Sequence, residues 1–245
     1  MLFGNENIST YTRPNLAIWM LLAFQAGVIN IGGLLACQTF VSHVTGYASL
    51  ASLEFESNQQ GHAFALILML MAFLMGSVGS GVLVDLRIKK NKKPKYYIVF
   101  GFLFLMTLTT AVLGFNNVFG KFGSADSTIQ IYSLAMLLCF ICGVQNGMVT
   151  LVSKSIVRTT HITGLVTDLG IGLVRILNRN HIKGVEAEGS ANVMRVGIIL
   201  SFFFGSLVGV PIFRAWQFRG FILPCLISGG LFAMAFYFQV IRSKR

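Results

Sequence analysis

Two asparagines, two histidines and two Thr-Gly steps are the residues whose type and spacing could do chemistry in this chain, and they come in matched sets. Asn30 closes the run Gly27-Val28-Ile29-Asn30, and Asn146 closes Gly143-Val144-Gln145-Asn146. Downstream, Ser42-His43-Val44-Thr45-Gly46 is answered by Thr160-His161-Ile162-Thr163-Gly164. A carboxamide carries two donors and an acceptor, which hydrocarbon cannot satisfy. Asn30, Gln145 and Asn146 must therefore face protein or a water-filled path. Two readings stand: interhelical hydrogen bonds worth about 1 kcal/mol each, or the lining of a route for a polar solute or ion.

The Thr-Gly steps, Thr45-Gly46 and Thr163-Gly164, let the chain turn or a helix begin. The hydroxyl is expected to cap exposed N–H groups, and such a helix start suits an anion or dipole. Broken or re-entrant helices inside the membrane and capped junctions at its surface both fit. His43 and His161 suit a proton role, since imidazole can gain or lose a proton near neutral pH, or a structural hydrogen bond. Zinc wants three or four protein ligands. No cysteine or carboxylate stands at ligand spacing beside either histidine, so neither a metal nor a cofactor is expected. Asp168 lies among Leu165, Leu169, Leu173 and Ile176, an apolar stripe at helical spacing. Either that helix lies on the inner leaflet with Asp168 and Arg175 in water, or it dips into the bilayer and Asp168 couples a cation or proton. With no nucleophile–base pair at recognisable spacing and no phosphate loop, an enzyme is not expected.

The elements that must position these groups are apolar. Of 245 residues, 55% are hydrophobic and 11% charged, where a soluble domain carries about a quarter charged. Six windows are long enough to span about 30 Å of hydrocarbon: Leu16 to Cys37, Ala63 to Val84, Tyr96 to Phe115, Ile131 to Ser153, Val196 to Phe213 and Gly220 to Ile241. The first is too long for a signal-peptide core and lacks a cleavage site, so it is expected to stay. Cys37, Cys139, Cys142 and Cys225 all fall in or beside these windows and read as buried small hydrophobes.

The net charge of +11 reads as topology rather than nucleic-acid binding, because the basic residues cluster between windows. With the N-terminus cytoplasmic, 16 of the 19 Lys and Arg fall inside, which predicts both termini in the cytoplasm. The motif recurs after an odd number of spans, so its second copy enters the membrane from the opposite side. A weaker echo, Gly76-Ser77 and Gly205-Ser206, follows in the next window of each half. The expected fold is an all-α integral membrane protein, one membrane domain over residues 1–245. It is built of about six transmembrane helices in two inverted three-helix repeats, approximately 14–120 and 128–242. Such repeats are frequent in secondary transporters.

At these motifs the chain resembles a known family. The run from Ala26 to Gly46, the Gly143, Gln145 and Asn146 set, and Thr159 to Leu169 (Thr-Thr-x-x-Thr-Gly-x-x-Thr-Asp-Leu) are similar to the YoaK family of bacterial six-span membrane proteins. The resemblance implies a multi-pass protein of the bacterial inner membrane and implies no activity, since that family has none established. Asn30 stands where the family usually has Asp, and Tyr47 where Asn usually follows the first Thr-Gly. The functional expectation is a small-solute secondary transporter or permease with a site between the halves, its partners the lipid bilayer, a small molecule or ion, and a second copy of the chain. A non-transporting scaffold, lipid-interacting or accessory protein is the other reading.

Overall fold

The computed structural model describes residues 13–124, 129–152, 162–182 and 184–242. Among them every regular element is helical, as lipid demands, because a helix bonds its backbone groups within itself. The long α1 (Arg13–Cys37) is followed by the short α2 (Val44–Glu56). Next, α3 (Gln60–Ser80) runs through a π turn, Gly81–Asp85, into α4 (Leu86–Lys89), and α5 (Tyr96–Phe115) follows. The rhythm then recurs: α6 (Ile129–Val152), α7 (Ile162–Leu177), α8 (Glu188–Trp216) and, past a 3-10 turn at Gln217–Phe221, α9 (Ile222–Phe236), extended by a π turn to Ile241. Breaks fall at Gln38, Asn58, Asn91 and Asn117, which adopt positive φ, a region asparagine tolerates better than most side chains.

Five helical tracts are long and apolar enough to cross a bilayer: Asn15–Cys37, Gln60–Lys89, Tyr96–Phe115, Ile129–Leu151 and Glu188–Ile241. The first four coincide with windows read from the sequence. The last two windows fall within one 54-residue tract, because the connection between α8 and α9 is itself helical. Within it Gln217 takes φ +49° and ψ −129°, and the chain folds back so that the rings of Phe213 and Phe221 stand 4.8 Å apart.

Helix directions follow from which residues meet. Gly197 meets Met20 and Gly32 meets Phe213, so α1 and α8 run parallel. Gly143 meets Phe73 and Gly147 meets Ser77 and Ser80, so α3 and α6 are parallel too. Against this, Trp19 adjoins Val149 while Cys37 adjoins Ile131, which makes α1 and α6 antiparallel. Contacts of Tyr97 with Gln239 and of Gly114 with Phe218 do the same for α5 and α9. The bundle thus has a basic end, carrying the lysines of residues 89–95, and a far end, carrying α2 and the α5–α6 connection.

Two crossings hold it together. A methyl added at Gly27 would overlap the Phe202 carbonyl, and one at Gly205 the Phe24 carbonyl. Likewise one at Gly76 would overlap the Phe140 carbonyl, and one at Gly143 the Phe73 carbonyl. Ser206 Oγ donates to Gly27 O at 3.2 Å, and Ser77 Oγ to Gly143 O at 3.2 Å. Lipid tails are as apolar as leucine, so helices associate through such close backbone packing and hydrogen bonding rather than hydrophobic drive. Leu68, Met75, Leu105, Phe203 and Leu226 are exposed, as a lipid-facing surface requires. All four cysteines are free and buried.

Candidate functional site

Polar groups meet in the middle of the bundle. Gln25 on α1 is fully buried and donates Nε2 to Gln145 Oε1 on α6 at 2.9 Å. Gln145 Nε2 donates onward to Leu22 O at 2.7 Å. From α9, the buried Ser228 donates Oγ to Gln25 Oε1 at 3.1 Å. Three helices are therefore tied by amides and a hydroxyl that satisfy one another, at about 1 kcal/mol per bond. The sequence marks Gln25 and Gln145 as amides in apolar windows; nothing in it marks Ser228.

The two asparagines do different things. Asn146, beside Gln145, is buried, and its Oδ1 has no hydrogen-bond partner among the described residues. Half-buried Asn30 accepts hydrogen bonds from Ser42 N at 3.3 Å and Ser42 Oγ at 2.9 Å, which fastens the end of α1 to the turn before α2. Gln145 lies level with Leu22 and Gln25, so Asn30 sits farther along the axis, about 7 Å past Gln25 at a rise of about 1.5 Å per residue. The structure brings Gln145 and Asn146 together with Gln25, and leaves Asn30 at a separate junction.

The first Thr-Gly step begins a helix at the far end, and the second lies among the first described residues of α7, at the basic end. At α2 the residue in the cap position is His43, with no side-chain cap hydrogen bond. Thr45 is the second helical residue and is exposed, so the expected threonine cap is not formed there. Gly46 is needed for a close approach instead: a Cβ on it would come within 2.6 Å of His43 Nδ1. His161 lies outside the described residues. Exposed Thr163 and Gly164 open α7, whose Leu165 and Gly172 are buried while Val166, Leu173 and Leu177 are exposed. Thr167, Asp168 and Arg175 share its polar, exposed side. This is an amphipathic helix lying along α8, and its exposed Asp168 stands apart from the buried amides.

The ends differ. At the far end a cavity of about 230 Å³ opens between α1, α2, α3 and α6. Helical spacing builds its wall: Leu50 and Glu54 are one turn apart on α2, His62, Leu66 and Met69 lie on one face of α3, and Tyr132 and Ala135 lie on α6. The His62 and Tyr132 rings meet edge to face at 5.8 Å. Gln38, Thr39 and Ser124 complete the polar part of the wall. At the basic end a gap of about 10 Å³ lies between Trp19, Leu22, Tyr96 and Met148, at the limit for one water. Arg195 Nη1 reaches Glu188 Oε1 and Asn192 Oδ1, both at 2.5 Å, and Arg175 Nη1 reaches Glu188 Oε2 at 3.1 Å. Gly172 of α7 lies directly against Glu188, Asn192 and Arg195. Sequence reasoning missed Glu54 and His62 as wall residues. The two glutamates of an otherwise uncharged connection are the only signal that could have found the site.

None of the curated proteins matches the chain, and neither does any solved structure. A family match runs from residue 18 to residue 234, through both runs of helices, and the resemblance seen at the Thr-Gly motifs is consistent with it. The chain belongs to the family described as "Protein of unknown function (DUF1275)", whose members are uncharacterised membrane proteins.

Proposed function

We propose that the protein is a small-solute permease, six spans in two inverted halves, whose two ends open in turn. The 54-residue tract counts as two crossings, because α8 parallels α1 while α9 opposes α5. The two close crossings, each joining one half to the other, are counterparts: Gly27 with Phe202 and Ser206 answers Gly143 with Phe73 and Ser77. Counterpart helices run in opposite directions, as an inverted repeat requires. The charge asymmetry supports a cytoplasmic basic end with both termini, and the family resemblance supports a bacterial inner membrane.

The observation that carries the reading is the inequality of matched places. Ten residues before Gly76 is Leu66, in the wall of the far cavity, and ten before Gly205 is Arg195, in the ion-pair cluster. Eight before Gly143 is Ala135, in the cavity wall, and eight before Gly27 is Trp19, buried. Eight after Gly46 is Glu54, and eight after Gly164 is Gly172, pressed on Arg195. At these matched positions the far end lines a cavity while the basic end, among the described residues, carries buried or ion-paired side chains, which supports a carrier resting open at the far end. The cytoplasmic plug is held by Arg195, Glu188 and Arg175, contacts that water can replace when that end opens.

Proteoliposomes assayed for uptake of a broad panel of small metabolites test this. Uniform inactivity of folded protein would refute the permease reading. One feature favours the second reading, a membrane scaffold or accessory protein: the amides of Gln25 and Gln145 bond each other rather than standing free to meet a solute. A scaffold keeps the far cavity open and the basic end closed under every condition, so trapping both ends in exchange by cysteine accessibility separates the two.

A further inference from the structure

We propose that the far-end cavity binds a small organic cation with an apolar body, such as a substituted ammonium ion. This rests on the permease reading only for the word substrate; the binding site itself stands on its walls. Among the described residues that line the cavity, Glu54 is the one formally charged side chain. It is half-buried, and among the described residues no Lys or Arg pairs with it. A carboxylate on a partly enclosed wall offers a negative charge that a cationic ligand can meet at short range. Two rings flank the same space, His62 and Tyr132, held edge to face at 5.8 Å, and the face of Tyr132 attracts an ammonium group. Beside them the half-buried Leu66 and the exposed Leu50 present apolar surface on the same wall that would take methyl or methylene groups. The volume, about 230 Å³, is on the order of eight water volumes, so the ligand has roughly that number of non-hydrogen atoms. An anion is disfavoured by Glu54, and an inorganic cation would leave that apolar surface uncovered.

The decisive comparison is between choline and neohexyl alcohol, which have the same shape and differ in a quaternary nitrogen against a carbon. Binding is measured calorimetrically to the full chain in nanodiscs of phosphatidylethanolamine and phosphatidylglycerol, lipids without a choline headgroup. Choline is expected to bind at least about tenfold more tightly than the alcohol, the equivalent of 1.4 kcal/mol. Glu54→Gln is expected to erase that preference, whereas Glu56→Gln, exposed and outside the wall, is expected to keep it. A thermal unfolding scan of Glu54→Gln establishes that the variant is folded. Equal binding of choline and the alcohol by the unmodified protein, or a preference that survives Glu54→Gln, overturns the proposal. Choline bound with the expected preference but not carried into proteoliposomes upholds the site and overturns the permease reading, so the two fail separately.

Discussion

Gly76→Ala and Gly79→Ala place the same methyl three residues apart on α3, and they should change stability in opposite directions. In a helix, alanine exceeds glycine by about 1 kcal/mol through backbone entropy alone. At Gly79 a Cβ meets nothing within 4 Å, so most of that gain should be realised. At Gly76 the Cβ would overlap the carbonyl of Phe140 and come within 2.8 Å of Val144 N. Both are backbone atoms of a helix, which cannot swing aside as the tip of a flexible side chain would. Parting α3 from α6 costs about 1–3 kcal/mol as overpacking. It also stretches the bonds from Ser77 Oγ to Gly143 O at 3.2 Å and from Ser80 Oγ to Val144 O at 2.6 Å, about 0.6 kcal/mol each in a membrane bundle. Set against the propensity gain, the net loss at Gly76 is about 2 kcal/mol, and the two variants should differ by about 3 kcal/mol. Steric trapping in bicelles, or unfolding in mixed micelles of increasing SDS fraction, reads this difference. Equal stability of the two variants would refute the claim that backbones touch at this crossing. The same assay reaches the repeat: Gly205→Ala overlaps the Phe24 carbonyl and should cost within about 1 kcal/mol of Gly76→Ala.

Further outcomes follow from the centre and the ends. Gln145→Leu removes a donor to Leu22 O and an acceptor from Gln25, so folding should weaken by about 1–2 kcal/mol, measured as above; no change would mean the amides are bonded elsewhere. Asn30→Leu should release the turn at Ser42 and speed proteolysis between α1 and α2, whereas Asn146→Leu should leave that rate alone. For topology, cysteines placed near Glu54 and Lys121 should label from outside, while those near Lys92 should not; external labelling at Lys92 overturns the inside assignment. Glu188→Gln should loosen Arg195 and Arg175 and raise cytoplasmic labelling of a cysteine at Trp19; unchanged labelling there would mean that the ion pairs do not hold the plug.

Hydropathy made the first four spans legible because nothing but lipid-depth burial explains runs of that length without a charge. The fifth tract resisted because apolar, helix-forming residues continue through Gln217–Phe221: a count of apolar residues registers two windows, whereas backbone hydrogen bonding registers one helical tract. The Gly76-Ser77 and Gly205-Ser206 echo, weak as a pattern, marks the two closest crossings, since only glycine admits a facing carbonyl. Asn30 and Asn146 misled in the other direction. Their places in the motif match, but the bond that Asn30 makes to Ser42 and the neighbours of Asn146 depend on chain brought in from elsewhere. Ser228 stands 203 residues from the Gln25 it serves, and Glu54, His62 and Tyr132 share a cavity only because α2, α3 and α6 converge. No local pattern carries such information.

On the permease reading, a matched backbone with unmatched side chains has a physical use. Were both ends lined alike, the open and closed forms of each would be equal in energy, and nothing would favour a resting state. Arg195 in place of Leu66 and Trp19 in place of Ala135 break that equality by filling one end. The filling is polar where it must move: Arg175 is 50% exposed beside Glu188, and an ion pair so placed contributes only about 0–1 kcal/mol, an amount a ligand can override. Arg195 and Glu188, each 12% exposed, hold more firmly and would be the last contact to part. At the far end no such lock exists among the described residues, so on the permease reading closing there would draw on the ligand itself, through Glu54, Tyr132 and the apolar surface of Leu50 and Leu66. A solute that meets Glu54 and covers Leu66 would supply those contacts, and their free energy is what would part Arg195 from Glu188 at the opposite end.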